Sequence, residues 1–376
     1  MSTNVARPSF LVLAANTPWV YALAQSLECH GPVTAVRMLD WANNVRLKPQ
    51  WPETESGVRR VPLAMPQGYA GTLEPLFRPL MRGIIDRERA RLRESSGKEP
   101  FVICPYPFIA PWVRHIPGDR LVYYNLDDYA LYDARRVERN RALEDEMIRH
   151  ARLSICLSRH QVDALRRRLP DRAANVHHFP LGVIEDFINP EPGIASAPNT
   201  VGYVGNMTDR VDWKFVQEVA EFMPETTFHF VGNASDGPAG AGFGINDGWA
   251  ARRALALATS NVVHEGPVSQ SDVPRHYWKY AVNWMPYDVR HPFNIASCPT
   301  KIMDALASGR PFVSTDLPEA RVYPDRVHVV SNPQDAAATL RTLLGAIESH
   351  DARGQVEYSR TQAWPCRARQ LLQLLD

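Results

Sequence analysis

The chain has almost no net charge: 42 Lys and Arg stand against 41 Asp and Glu, leaving +1 over 376 residues. Without a surplus of cations to follow a phosphate polymer, nucleic acid is not an expected partner. Cysteine is scarce and scattered. The 5 cysteines, Cys29, Cys104, Cys156, Cys298 and Cys366, are odd in number and form no CxxC pair. This argues against a disulfide framework or a zinc site and suits a reducing, cytoplasmic compartment. Long apolar runs are also missing. The stretch in MSTNVARPSFLVLAAN is too short for a signal-peptide core, and no later segment approaches the ~20 apolar residues of a spanning helix. Any membrane contact is therefore expected to be peripheral.

What is present is ordinary globular composition, 45% hydrophobic and 22% charged, in a chain more than twice the ~150 residues usual for one domain. Short β-branched runs alternate with helical patterns, the pattern of parallel strands joined by crossover helices. In the first half the predicted strands are 9–14, 33–38, 101–104, 120–124, 153–157 and 176–179. A basic amphipathic helix is predicted over Leu73 to Arg93, with Leu73, Leu76, Phe77, Leu80, Met81, Ile84 and Ile85 on one face. Its Arg face suits an anionic membrane surface, or simply solvent.

The segment EDFINPEPGIASAPNT breaks all periodicity and reads as a linker. Residues 1–185 then form one domain, 186–199 the linker, 200–355 a second domain and 356–376 a terminal helix. In the second domain, strands are predicted at 200–204, 227–231, 261–264, 282–285 and 311–314, with helices at 213–222, 273–280 and 301–307 and helices onward to the end. The Gly/Ala stretch Asp236 to Gly244 reads as a surface loop.

Two segments carry chemistry. In TVGYVGNMTDRVDWK a strand ends at Gly205 and Asn206 and leads into a helix with Arg210 and Lys214 near its start, an arrangement that suits a phosphate or an ordinary tight turn. In NIASCPTKIMDALASGRPFVSTDLP, Pro299 and Thr300 open a helix and Lys301 follows, a second anion site. Asp304 lies one turn on, where a carboxylate can accept two hydrogen bonds from vicinal hydroxyls or pair with Lys301.

Taken in order, GYVGNMTDR, FHFVGN, NVVHEGPVSQSDVPRHYWKYAVNWMPY and CPTKIMDALASGRPFVSTDLPE resemble the donor-sugar domain of GT-B glycosyltransferases, family 4-like, of the bacterial polysaccharide group 1 type. YYNLDDYALY, LSICLS and HHFPLGV are similar to segments of the acceptor domain, and AWPCRARQLLQLL to the tail helix that crosses back to it. The resemblance implies an α/β fold of two Rossmann-like doubly wound domains facing a cleft. It implies transfer of a sugar from a nucleotide diphosphate sugar, UDP favoured, to a hydroxyl of a glycan or lipid-linked acceptor in surface polysaccharide synthesis, without metal or other cofactor. By resemblance Asp304 binds the nucleotide ribose, and Pro299, Thr300 and Lys301 lie against the diphosphate with Gly205 and Asn206. His264 and Gly266 lie near the nucleobase, and Arg210 neutralises the leaving group.

Two features depart from the family pattern. The first acid of its Glu-x7-Glu motif would fall at Ala296, which leaves donor sugar and stereochemistry open, and the usual Arg and Lys pair is displaced to Arg210 and Lys214. An inverting reaction needs a general base, for which Asp127 or Asp128 is expected, although Asp128 also reads as a helix cap. His115, His177 and His178 are spare candidates. On the acceptor side Asn16, Thr17, Trp19 and Tyr106 are expected near strand ends, with Trp112, where aromatic faces stack on sugar or simply pack. The competing readings are a nucleotide-sugar epimerase or hydrolase, and a noncatalytic scaffold.

Overall fold

The computed structural model describes residues 7–40, 57–193, 197–234 and 248–376. Its strands form two all-parallel sheets. The first comprises β1 (Phe10–Val12), β2 (Val33–Asp40), β3 (Arg59–Met65), β4 (Phe101–Cys104), β5 (Leu121–Asn125), β6 (Leu153–Cys156) and β7 (Val176–His178), in the order β3-β2-β1-β4-β5-β6-β7. The second comprises β8 (Ala197–Val204), β9 (Thr227–Val231), β10 (Val262–Gly266), β11 (Tyr280–Met285), β12 (Phe312–Thr315) and β13 (Val327–Val330), in the order β10-β9-β8-β11-β12-β13. The winding order of the strands in each sheet reverses once, between β1 and β4 and between β8 and β11. Those switch points are where doubly wound sheets open a crevice at the carboxyl ends of their strands. The α/β class and the two Rossmann-like sheets expected from the sequence are observed.

Strands β4, β5, β6, β11 and β12 are buried nearly throughout because helices cover both sheet faces, and this is why they read as unbroken apolar runs. The two strands that sequence reading misses lie at sheet edges. β3 alternates exposed and buried residues around Pro62, tolerable on an edge, and β13 replaces part of a region expected to be helical. A helix at Trp249–Leu257 is also additional. The Asp236 to Gly244 loop lies outside the described residues.

The basic helix spans Glu74–Ser96, but its apolar residues do not share one buried face. Met81, Ile85 and Leu92 are buried, whereas Leu73, Leu76 and Leu80 are exposed. At the other end of the chain the helix Trp364–Leu375 packs into the core of the first sheet beside Val20, Leu23 and Ala24. Arg152 Nη2 donates to the Leu375 carbonyl at 2.7 Å. The Trp364 indole sits so close to Gly182 that a Cβ there would come within 2.6 Å of it. Among the described residues no helix is long and apolar enough to cross a membrane.

Candidate functional site

The carboxyl ends of both sheets open onto one cavity of about 660 Å³. Its first-sheet wall is built from the segments that follow β1, β4, β5, β6 and β7: Thr17 and Trp19, Tyr106, Asp127 with Tyr129 and Tyr132, Leu157, and Leu181. Asn206, Thr208 and Arg210 after β8, Tyr287 after β11, and Ser297 to Lys301 form the opposite wall. Both switch points therefore contribute, as a doubly wound architecture dictates. Among the described residues lining the cavity, Asp127 is the one carboxylate.

The cationic wall is rigidly assembled. Arg210 precedes the helix Trp213–Phe222 instead of lying in it, because Asp212 caps that helix through Phe215 N–H at 3.1 Å. The guanidinium is fixed by Nε donating to Asn294 Oδ1 at 2.7 Å and Nη2 to Ser297 Oγ at 2.8 Å. Asn294 in turn donates to the carbonyls of Arg210 and Asp288. Lys301, in the first turn of Thr300–Ala307, places Nζ 5.3 Å from the Tyr203 ring centre and 5.8 Å from that of Tyr287, and Arg210 lies 5.1 Å from the same Tyr287 ring. Two cations thus contact one aromatic ring. Burial works to raise the Tyr287 phenol, but Lys301 and Arg210 outweigh it and hold it below its ordinary value.

Gly205 makes room for this arrangement. Its φ is +142°, and a Cβ would lie 2.2 Å from Lys301 Nζ. Gly232, at the end of β9, shares that φ and packs on Gly205, whose carbonyl a Cβ would meet at 2.2 Å. His264 and Gly266 lie one strand further out. Gly232 N–H donates to the Gly266 carbonyl at 2.8 Å, and the His264 imidazole Nε2 lies 3.1 Å from the Gly232 carbonyl. They brace the glycine pair and do not line the large cavity.

Asp304 lies behind Thr300 in an adjoining cavity of about 100 Å³ that also touches Trp19, Gln270 and Trp364. Burial raises its carboxyl to about 7, against the opposing pull of Lys301 and a hydrogen bond with Thr300. Ala296 is buried, and its carbonyl accepts from Ser158 Oγ at 2.6 Å, so nothing acidic takes the place eight residues before Asp304.

On the first-sheet wall Asp127 Oδ2 accepts from Tyr132 Oη at 3.0 Å, and Oδ1 from the Asp128 N–H at 2.9 Å. Burial raises this carboxyl above its ordinary value, with Arg210 across the cleft opposing. The loop is anchored by Asn125, whose Nδ2 donates to the Asp127 carbonyl at 3.1 Å and to buried Glu144 at 2.8 Å.

Several sequence candidates prove to be engaged elsewhere. Asp128 accepts from Ala130 N–H at 3.1 Å and caps the turn Tyr129–Tyr132, leaving Asp127 as the carboxylate that faces the cavity. Asn16 spends its Oδ1 on Met38 N–H at 2.8 Å. Lys214 is exposed beside Glu218, Trp112 is buried against Tyr69, and His115 pairs with Asp86 at the surface. Sequence reasoning missed Tyr287, Tyr132, Asn294 and Ser297. Of these Tyr287 was within reach, since it follows β11 by two residues at a switch point.

With this geometry in place, comparison with known proteins locates the fold. Residues 198–348 match the family model described as Glycosyl transferases group 1. A Bacillus subtilis (strain 168) protein named as a teichuronic acid biosynthesis glycosyltransferase, TuaH, is 28% identical over 178 residues, 46% of this chain and 42% of the relative's own length. The chain thus spans less than half of that relative. Among solved structures, Anabaena Alr3699/HepE in complex with UDP aligns over 98% of this chain and 99% of its own at a TM-score of 0.68 and 14% identity. It has also been solved with UDP-glucose. Sucrose-phosphate synthase from Thermosynechococcus elongatus aligns over 98% of both chains at a TM-score of 0.69 and 16% identity. The chain has the GT-B fold.

Proposed function

We propose that the chain is a glycosyltransferase that moves a sugar from a nucleotide diphosphate sugar to a hydroxyl of a glycan or lipid-linked acceptor in surface polysaccharide synthesis. The observation that carries this reading is the cavity itself: Arg210 and Lys301 held side by side on one wall, Asp127 facing them from the other. Fixed cations aimed at a diphosphate stabilise the charge that develops as the sugar departs, usually the largest single catalytic contribution. The bond from the anomeric carbon to the diphosphate oxygen breaks, its electrons pass to the diphosphate, and the acceptor oxygen forms the new bond. Asp127 takes the acceptor's proton, a task suited by a carboxyl raised toward neutrality.

Asp304 takes the ribose hydroxyls, with the base toward His264 and Gly266, while Thr17, Trp19 and Tyr106 meet the acceptor. UDP is the favoured nucleotide, supported by the UDP and UDP-glucose complexes of HepE. The teichuronic acid assignment of TuaH supports a surface polysaccharide. Positive charge from Arg210 and Lys301 supports a metal-independent reaction. We place the enzyme in the cytoplasm, in peripheral contact with the membrane that carries its acceptor; Cys104, Cys156 and Cys298, buried as separate thiols, suit a reducing compartment.

Calorimetric titration with UDP, GDP, dTDP and ADP, with and without EDTA, tests the donor site: UDP binds and EDTA changes nothing. No binding of any nucleotide would leave only a scaffold. Ala296, standing where the family's first acid would fall, favours that scaffold reading; rapid epimerisation of donor alone would instead replace the transferase assignment with a nucleotide-sugar epimerase or hydrolase.

A further inference from the structure

We infer that the first turns of the helix Glu74–Ser96 dock on an anionic phospholipid bilayer, which deepens the membrane contact proposed above and rests on it. Leu76 is 73% exposed, Leu80 54% and Leu73 37%, three of the eight large apolar side chains exposed among the described residues. Spaced by three and four, they lie on one stripe of the helix. Pro75 and Pro79 are exposed beside them. The charged residues in these turns, Glu74 and Arg78, neutralise each other in a 2.7 Å ion pair. Apart from Arg78, whose charge that pair neutralises, the solvent-facing side chains of the first two turns are apolar.

Around the tip the surface is cationic. The same stripe continues into exposed Arg87 and Arg91. Arg87 shares the buried carboxylate of Glu88 with Arg59, two guanidiniums on one acid, which leaves positive charge over. At the near end Arg136 adjoins the loop that enters the helix, where a Cβ on Gly71 would come 3.3 Å from its Nη1; it and its largely exposed neighbour Arg135 share the one carboxylate of Asp133, again two guanidiniums on one acid. Exposed acids nearby are Asp86, already bridged to Arg89 and His115, Glu138 two residues from Arg136, and Glu94 at the far end. Apolar anchors ringed by arginine are the chemistry of an interfacial helix on anionic lipid. A second copy of the chain would set these same cations against each other.

Charge over the whole chain points the same way. Residues 1–185 hold 26 Lys and Arg against 20 Asp and Glu, the remainder 16 against 21, so the first domain turns toward an anionic surface and the second away from it. The helix follows β3 at the carboxyl end of the first sheet, the end that also carries Thr17, Tyr106 and Asp127 into the cavity. A bilayer held there lies beside the acceptor half of the cleft.

Co-sedimentation with vesicles of phosphatidylcholine alone or mixed with phosphatidylglycerol tests this. The chain is expected to bind the mixed vesicles, to bind pure phosphatidylcholine weakly, and to detach as salt rises. Leu76→Ser with Leu80→Ser, and separately Arg87→Glu with Arg91→Glu, should each lower partitioning by about tenfold or more while UDP affinity stays at the wild-type value. Absence of binding to anionic vesicles, a Leu variant that binds like wild type, or a dimer that the Leu variant dissolves would each overturn the proposal. Vesicle binding by a chain that binds no nucleotide would instead sink the transferase reading and leave this surface standing.

Discussion

Glu319 Oε2 accepts the backbone N–H of Arg159 at 2.8 Å, so that a carboxylate from the second domain closes the amino end of a helix in the first. Its other oxygen lies 3.0 Å from His178 Nε2, and the side chain is 1% exposed. The adjoining Ser158 hydroxyl donates to the Ala296 carbonyl. Together these contacts pin the two domains directly behind the cavity. Glu319→Ala is expected to cost about 1–3 kcal/mol, because it strands a helix donor and His178 in a dry interface. Thermal unfolding checks this, and an unchanged midpoint would mean that the domains are held by other contacts.

The fixing of Arg210 makes its removal more informative than that of a mobile surface cation. Arg210→Ala should lower kcat by about 10²–10³, the range for loss of one preorganised donor to developing charge. Asn294→Ala, which removes an anchor and leaves the charge, should cost less. Steady-state kinetics with a common donor compares them, and equal losses would show that Asn294 acts on substrate directly.

Asp127→Asn separates binding from chemistry. A base that only accepts the acceptor's proton contributes little to donor affinity, so the variant should bind UDP as wild type does while turnover collapses. Because burial lifts this carboxyl above its ordinary value, the wild-type rate should rise with pH along a limb placed above the normal carboxylate range. Retained turnover in the Asn variant would remove Asp127 from the base role.

The sequence shows the frame of the fold more readily than its edges. Central strands such as Phe101–Cys104 and Leu121–Asn125 are legible because burial on both faces demands near-continuous apolar runs. β3 and β13 are not, since edge strands tolerate Pro62 and polar alternation. The site divides in the same way. Arg210, Lys301 and Asp304 follow from motif and helix position, whereas the choice between Asp127 and Asp128 turns on which carboxylate the backbone of a short turn claims, and that is settled by Ala130 N–H. Likewise, spacing puts seven apolar residues of the basic helix on one face, but only a narrow stripe with Met81, Ile85 and Leu92 is buried, and Leu73, Leu76 and Leu80 stay outside.

Asp304 supplies a prediction in which stability and binding pull apart. Its carboxyl, raised to about 7 by burial, binds its proton more tightly in the folded chain than in the unfolded one. The folded state is therefore favoured at low pH and penalised progressively as pH climbs from the ordinary carboxylate value through 7. Asp304→Asn should remove that penalty, raising stability by roughly 1–3 kcal/mol at pH 8 and by little at pH 4. Donor binding runs the other way, because ribose hydroxyls donate best to the ionised form. Affinity for UDP-glucose, whose phosphates do not titrate in this range, should strengthen between pH 6 and pH 8 in the wild type and stay flat and weak in the variant. Denaturant unfolding and calorimetry at the two pH values measure both. A variant that is stabilised yet binds donor normally would show that Asp304 is a buried acid with no part in the site.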